Sequence, residues 1–167
     1  MKIEKELKER MYKDSGFLIT AYPSLYEDVI KRMTKPFIGM RVDKVMSPEM
    51  KGMLYGPTIA YNLKIPFVSI LKEGRIPKKY VISKSFNDYS KKEKNLQIAK
   101  RTIRKGEKIL LIDDVYESGE SGKAIISLIK KLGGKVIGIS VIYNKLNKKD
   151  EIFFDKYNFH YLVKMKK

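Results

Sequence analysis

Two adjacent carboxylates, Asp113 and Asp114, are the residues of this chain best placed for chemistry. They sit between the aliphatic run Ile109-Leu-Leu-Ile112 and the polar segment Tyr116-Glu-Ser-Gly-Glu-Ser-Gly122. Four consecutive aliphatics mark a strand buried on both faces. Ala124, Ile125, Leu128, Ile129 and Leu132 then recur at helical spacing, and Gly133-Gly134 stops the helix. Lys135–Tyr143 closes a βαβ unit, and in such units ligands bind beyond the carboxyl ends of the strands. The two acids and the 117–122 loop would lie there. The backbone amides of that loop, together with the start of the next helix, form a natural seat for a phosphate, and Ser118 and Ser121 add hydroxyl donors. The plainer alternative is that the two acids begin a turn and cap a helix.

Several chemistries drop out. With no Cys there is no disulfide framework, thiolate nucleophile or Cys-built zinc site. The lone His160, between Phe159 and Tyr161, lacks the partners that metal or triad chemistry needs. Gly122-Lys123 suggests a Walker-type loop, but that pattern needs Gly at Glu117 and Ser or Thr at Ala124. No Gly-x-Gly-x-x-Gly follows a strand, so a dinucleotide fingerprint is also missing.

The elements that must position these residues follow an alternating pattern. Apolar runs of strand length exchange with amphipathic runs of helix length, which predicts an α/β domain with a mainly parallel sheet flanked by helices. Helices are expected near 3–12 and 23–34, a strand over 41–47, a helix over 52–63 and a strand over 65–71; a polar, Lys-rich insertion, 73–107, precedes the Asp-bearing strand. The chain reads as a single domain, 1–167.

Composition bounds the partner. There are 36 Lys and Arg against 19 Asp and Glu, a net charge of +17, with 43% hydrophobic residues. This excess favours nucleic acid, an anionic membrane surface or a small polyanion. The longest apolar stretches fall short of the roughly 20 residues that cross a bilayer. The charged N-terminus lacks a secretory core, so a cytoplasmic protein with no membrane partner is expected. The run Lys91–Lys108 reads as a solvated face, making nucleic acid an unfavoured partner.

At this point Ile109-Leu-Leu-Ile-Asp-Asp-Val-Tyr-Glu-Ser-Gly-Glu-Ser121 resembles the phosphoribosyl pyrophosphate (PRPP) motif of type I phosphoribosyltransferases. The wider layout, about 40–145, is similar to adenine and xanthine phosphoribosyltransferases and a related purine-operon repressor. The resemblance implies the type I phosphoribosyltransferase fold, with a small hood (about 12–28 and 143–162) and a flexible active-site loop (about 73–107). It implies that Asp113 and Asp114 hold the ribose hydroxyls while Glu117, Ser118, Gly119, Glu120 and Ser121 wrap the 5-phosphate. Ser47-Pro-Glu-Met-Lys-Gly-Met-Leu-Tyr-Gly56 resembles the pyrophosphate-binding loop, with Lys51 beside Gly52 in place of the customary Arg, a point charge for a bidentate fork. Ile70-Leu-Lys-Glu-Gly-Arg-Ile-Pro77 matches a cationic stretch, keeping Lys72 and Arg75 but carrying Leu71 where the family has its first Arg.

Ser85-Phe-Asn-Asp-Tyr-Ser90 resembles the mobile loop, with Asp88-Tyr89 as the pair over the reacting atoms; an incidental exposed hairpin is the alternative. Glu117 stands where hypoxanthine-guanine enzymes carry an acid for the purine N7 proton, and so becomes a candidate general acid/base. Glu120 brings negative charge near the bound phosphate unless it points outward. Tyr22, Tyr26, Tyr143 and Asn144 are the candidates for contacting the base. The implied reaction joins a purine to PRPP, giving a nucleoside monophosphate and pyrophosphate, with adenine first and hypoxanthine or guanine next. Mg²⁺ is the expected cofactor, carried mainly by PRPP rather than by a protein metal site, and a homodimer is expected. A PRPP- or nucleotide-sensing regulator of the same fold is the alternative.

Overall fold

The structure is a computed structural model of the 167-residue chain and describes residues 2–14, 16–87 and 93–165. Five helices, α1 (Lys2–Asp14), α2 (Pro23–Thr34), α3 (Gly56–Leu63), α4 (Glu120–Lys131) and α5 (Lys148–Asp155), surround one seven-stranded sheet. The strands are β1 (Lys44–Pro48), β2 (Phe67–Lys72), β3 (Val81–Asn87), β4 (Glu93–Ala99), β5 (Lys108–Tyr116), β6 (Lys135–Asn144) and β7 (Phe159–Lys164), in the order β3-β4-β2-β1-β5-β6-β7. All neighbours from β2 to β7 run parallel, whereas β4 pairs antiparallel with both β2 and β3. A mainly parallel sheet flanked by helices is what the alternating sequence pattern predicts. No described helix is long and apolar enough to cross a membrane.

The order carries a functional consequence. From β1 the chain moves outward to β2 and the hairpin, then returns to β5 on the other side of β1. The carboxyl ends of β1 and β5 therefore flank a topological switch point, where connections leave in opposite directions and open a crevice. Alternation along β5 builds the core that supports it. Ile109 and Leu111 join Met46, Ile139 and the apolar stripe of α4 on one face; Leu110 and Ile112 join Val45, Ile142, Met33 of α2 and Ile59 of α3 on the other.

Three regions differ from the sequence expectation. The 52–63 helix is two pieces, a short 3₁₀ turn at Lys51–Leu54 and then α3, because Pro57 starts a helix more readily than it continues one. The 73–107 insertion carries two paired strands: β3 and β4 pair from Val81↔Ala99 to Asn87↔Glu93, with Val81, Leu96 and Ile98 buried. Residues 143–162, expected in the hood, form the end of β6, then α5 and the edge strand β7.

Gly138 in the middle of β6 is a close-approach position. A Cβ there would run into the ring of buried Phe37 and sit 3.0 Å from Leu110 Cδ1. Gly138→Ala is expected to lower stability by about 1–3 kcal/mol, read as a lower urea midpoint at unchanged slope; an unshifted midpoint contradicts this packing.

Candidate functional site

The site assembles where β1, β2 and β5 end. A cleft of ≈ 570 Å³ opens there, bordered by Lys51 after β1, Lys72 at the end of β2, Asp113 and Asp114 on β5, and Glu117, Ser118, Gly119 and Ser121 of the loop that follows. Phe86 and Leu96 of the hairpin supply an apolar wall. Sequence-distant residues thus converge because parallel strands deliver their carboxyl ends to one edge.

Both acids are almost buried, with 8% of Asp113 and 7% of Asp114 exposed. Asp113 Oδ1 accepts the backbone N–H of Asp114 at 2.8 Å, and Asp114 Oδ2 is 3.0 Å from Lys51 Nζ. Burial, reinforced by the neighbouring charge of Asp114, raises the Asp113 pKa well above the ordinary carboxylate value. Gly52 allows this closeness. A Cβ on it would lie 2.9 Å from Pro48 Cδ and 3.0 Å from both Asp113 Oδ1 and the Ile112 carbonyl oxygen.

The phosphate seat has the geometry expected of a helix start. Gly119 has φ +77°, and a Cβ there would meet the Phe154 ring of α5 at 2.6 Å, so both conformation and packing require glycine. From Glu120 onward α4 begins, leaving its first amides without intrahelical acceptors. Ser118 Oγ accepts the Glu120 N–H at 3.4 Å.

Other candidate residues take different roles. Glu120 does not line the cleft; its Oε1 is 2.7 Å from Lys123 Nζ, so the contribution expected of its side chain to the phosphate site is corrected to an outward ion pair. Arg75 also lies off the lining, with its guanidinium 3.0 Å from Glu49 Oε1. The other Glu49 oxygen accepts the Lys72 backbone N–H at 3.0 Å, so Glu49 ties the loop after β1 to β2 and the turn beyond it. Tyr143 and Asn144 are fully buried and do not border the cleft. The Tyr143 hydroxyl donates to the Leu7 carbonyl at 2.8 Å; Asn144 donates to Glu151 Oε1 at 2.7 Å and accepts the Leu146 N–H at 2.9 Å. Their expected contact with a base is therefore corrected to a framework role. The Tyr26 hydroxyl likewise donates to the Leu54 carbonyl at 2.6 Å, and Tyr22 lies under the Arg10 guanidinium. Asp88 and Tyr89 fall outside the described residues.

Two residues that touch the cleft lining without belonging to it were not singled out from the sequence. Phe17, 41% exposed, has its ring 5.5 Å from Lys51 Nζ, and the preceding Gly16 has φ +80°. Lys145 Nζ is 3.3 Å from Glu117 Oε1. The Ser-Gly-Phe order was a signal for the first; nothing local marks one lysine among so many for the second.

A family model for the phosphoribosyl transferase domain matches residues 25–165. The chain belongs to the phosphoribosyltransferase family. An adenine phosphoribosyltransferase of Clostridium botulinum strain Hall is 30% identical over 134 residues, covering 80% of this chain and 77% of that one. Among solved structures, the adenine phosphoribosyltransferase of Thermoanaerobacter pseudethanolicus superposes with a TM-score of 0.75 at 25% identity, covering 86% of this chain and 82% of the other. The Giardia lamblia enzyme complexed with 9-deazaadenine gives 0.80 at 24%, covering 88% and 83%. In this chain the family's domain contains the buried acid pair and the loop that opens α4 side by side.

The raised pKa of Asp113 makes stability depend on pH. Asp113 binds its proton more tightly in the folded than in the unfolded chain, so its contribution to stability is lost as pH climbs from the ordinary carboxylate value through the raised one. Asp113→Asn is therefore expected to melt higher than wild type at pH 7, with the difference closing as pH falls into the ordinary carboxylate range. A lower melting temperature at pH 7 contradicts the assignment.

Proposed function

We propose that the protein transfers the 5-phosphoribosyl group of PRPP to a purine, adenine first, giving the nucleoside monophosphate and pyrophosphate. The observation that carries this reading is the nearly buried Asp113–Asp114 pair, set between Lys51 and the amides that start α4. Vicinal ribose hydroxyls donate to carboxylates, and the serine hydroxyls with the loop amides take the 5-phosphate. The same carboxylates face C1 as its bond to pyrophosphate breaks and positive charge develops on the sugar. Lys51 and Lys72 meet the departing diphosphate. The purine nitrogen bonds to C1 and loses its proton, with Glu117 as the acceptor in reach of the cleft. Phe17, in the hood segment 12–28, offers a ring for the base to stack on.

Mg²⁺ enters as part of the substrate. Among the described residues no group of three or more His, Cys, Asp or Glu side chains could hold a metal. Two carboxylates beside a diphosphate suit a cation that keeps waters and takes most of its ligands from phosphate. Such a cation would supply positive charge to the departing diphosphate, with Asp113 and Asp114 reserved for the sugar hydroxyls. A homodimer working in the cytoplasm remains part of the proposal.

One observation favours a second reading of the base. Lys145, at Glu117, can only donate, which suits the C6 carbonyl of hypoxanthine or guanine better than the C6 amino group of adenine. Of the two supports of the sensing alternative, the resemblance to the purine-operon repressor stands, while the pairing of Glu120 with Lys123 weakens the other.

The test is pyrophosphate release with Mg²⁺, PRPP and each of adenine, hypoxanthine, guanine, xanthine, uracil and orotate. Turnover confined to purines is expected; turnover with pyrimidines alone, or with none, contradicts the proposal. If Lys145 reads a 6-oxo group, Lys145→Met lowers kcat/KM for hypoxanthine about tenfold more than for adenine, the effect of losing a charge-assisted hydrogen bond of about 1.5–3 kcal/mol. Parallel losses remove the second reading.

A further inference from the structure

Glu120 places a carboxylate where a phosphate seat tolerates one least. It is the first residue of α4, directly after Gly119, and its backbone belongs to the group of amides at the helix start. A negative side chain is favourable there for the helix itself, because it faces the positive end of the dipole. For the same reason it competes with any phosphate drawn to those amides.

The structure holds this carboxylate aside through a chain of contacts. Lys123 Nζ is 2.7 Å from Glu120 Oε1 and 2.8 Å from Asp150 Oδ1 in the first turn of α5. Asp150 is fixed in turn by Asn147, whose Oδ1 accepts the Asp150 N–H at 2.9 Å and whose Nδ2 donates to Asp150 Oδ2 at 2.7 Å. The packing of Phe154 against Gly119 keeps α5 close to the seat. The Glu120–Lys123 contact alone is a half-exposed pair three residues apart, and such pairs contribute little stability. A third partner, Asp150, only 19% exposed, gives the contact a fixed direction.

We infer that Lys123 is a positioning residue for the phosphate seat: anchored on Asp150, it grips Glu120 and keeps that carboxylate off the amides that receive the sugar 5-phosphate. The inference rests on the phosphoribosyl reading of the cleft and adds a residue that touches no substrate.

Ribose 5-phosphate probes the seat without the base or the diphosphate. Titrated by calorimetry, Lys123→Met is expected to bind it about tenfold more weakly than wild type, since an unpaired carboxylate would then stand near the phosphate at intermediate dielectric. KM for PRPP is expected to rise in parallel while kcat changes by less than about threefold, because the contact acts on binding rather than on the bond being broken. Adding Glu120→Gln to Lys123→Met removes the competing charge and is expected to restore affinity to within about twofold of wild type, as is the conservative Lys123→Arg. Thermal melts establish that each variant is folded. Unchanged affinity in Lys123→Met overturns the inference. So does a weakened Lys123→Met that Glu120→Gln fails to rescue, since that pattern belongs to a structural link between α4 and α5. A wild-type protein that binds neither ribose 5-phosphate nor PRPP overturns the reading of the seat, and this inference with it.

Discussion

The structure is organised around the burial of two neighbouring carboxyl groups at the end of its central strand. Removing such groups from water is costly unless they are paired or hydrogen-bonded, and each partner comes from a different part of the chain. Lys51 reaches Asp114 from the loop after β1, the Asp114 amide serves Asp113, and Gly52 lets that loop lie against Asp113. Asp113 still carries an unfavourable environment for its charge, first from burial and then from Asp114. Stored cost of this kind collects where a ligand relieves it. Ribose hydroxyls and a cation carried by the diphosphate are groups able to do so.

The surrounding elements keep this arrangement in place. The sheet reverses its direction of growth between β1 and β5, which opens the crevice beside the acids. On one side α5 supports the phosphate loop through Phe154 against Gly119, and on the other the β3–β4 hairpin adds Phe86 and Leu96 to the wall. The net charge of +17 is used sparingly at the site. Lys51, Lys72 and Lys94 border the cleft, Arg75 is tied to Glu49, and Lys123 pairs with Glu120.

What could be read from the sequence was whatever short-range pattern controls. Ile109–Ile112 followed by two acids and a glycine-bearing loop marks a buried strand ending in a phosphate seat, and the stripe from Ala124 to Leu132 marks the helix behind it. The β3–β4 hairpin was legible only as an alternative at 85–90, because polar residues interrupt the face that Ile82, Phe86, Leu96 and Ile98 share. Tyr143 and Asn144 look like base contacts in isolation, yet long-range partners, the Leu7 carbonyl and Glu151, take their polar atoms. Glu120 and Arg75 had the right types for the site, and only their side-chain directions, set by Lys123 and Glu49, remove them from the cleft. Lys145 met Glu117 through the tertiary fold, with no local signature.

The central claim is that the buried acid pair exists to hold the sugar of PRPP. Calorimetric titration of Mg²⁺-PRPP into wild type and into Asp113→Asn/Asp114→Asn tests it most directly. Saturable binding by wild type and none by the folded double variant is expected. Equal binding by the two proteins would contradict it.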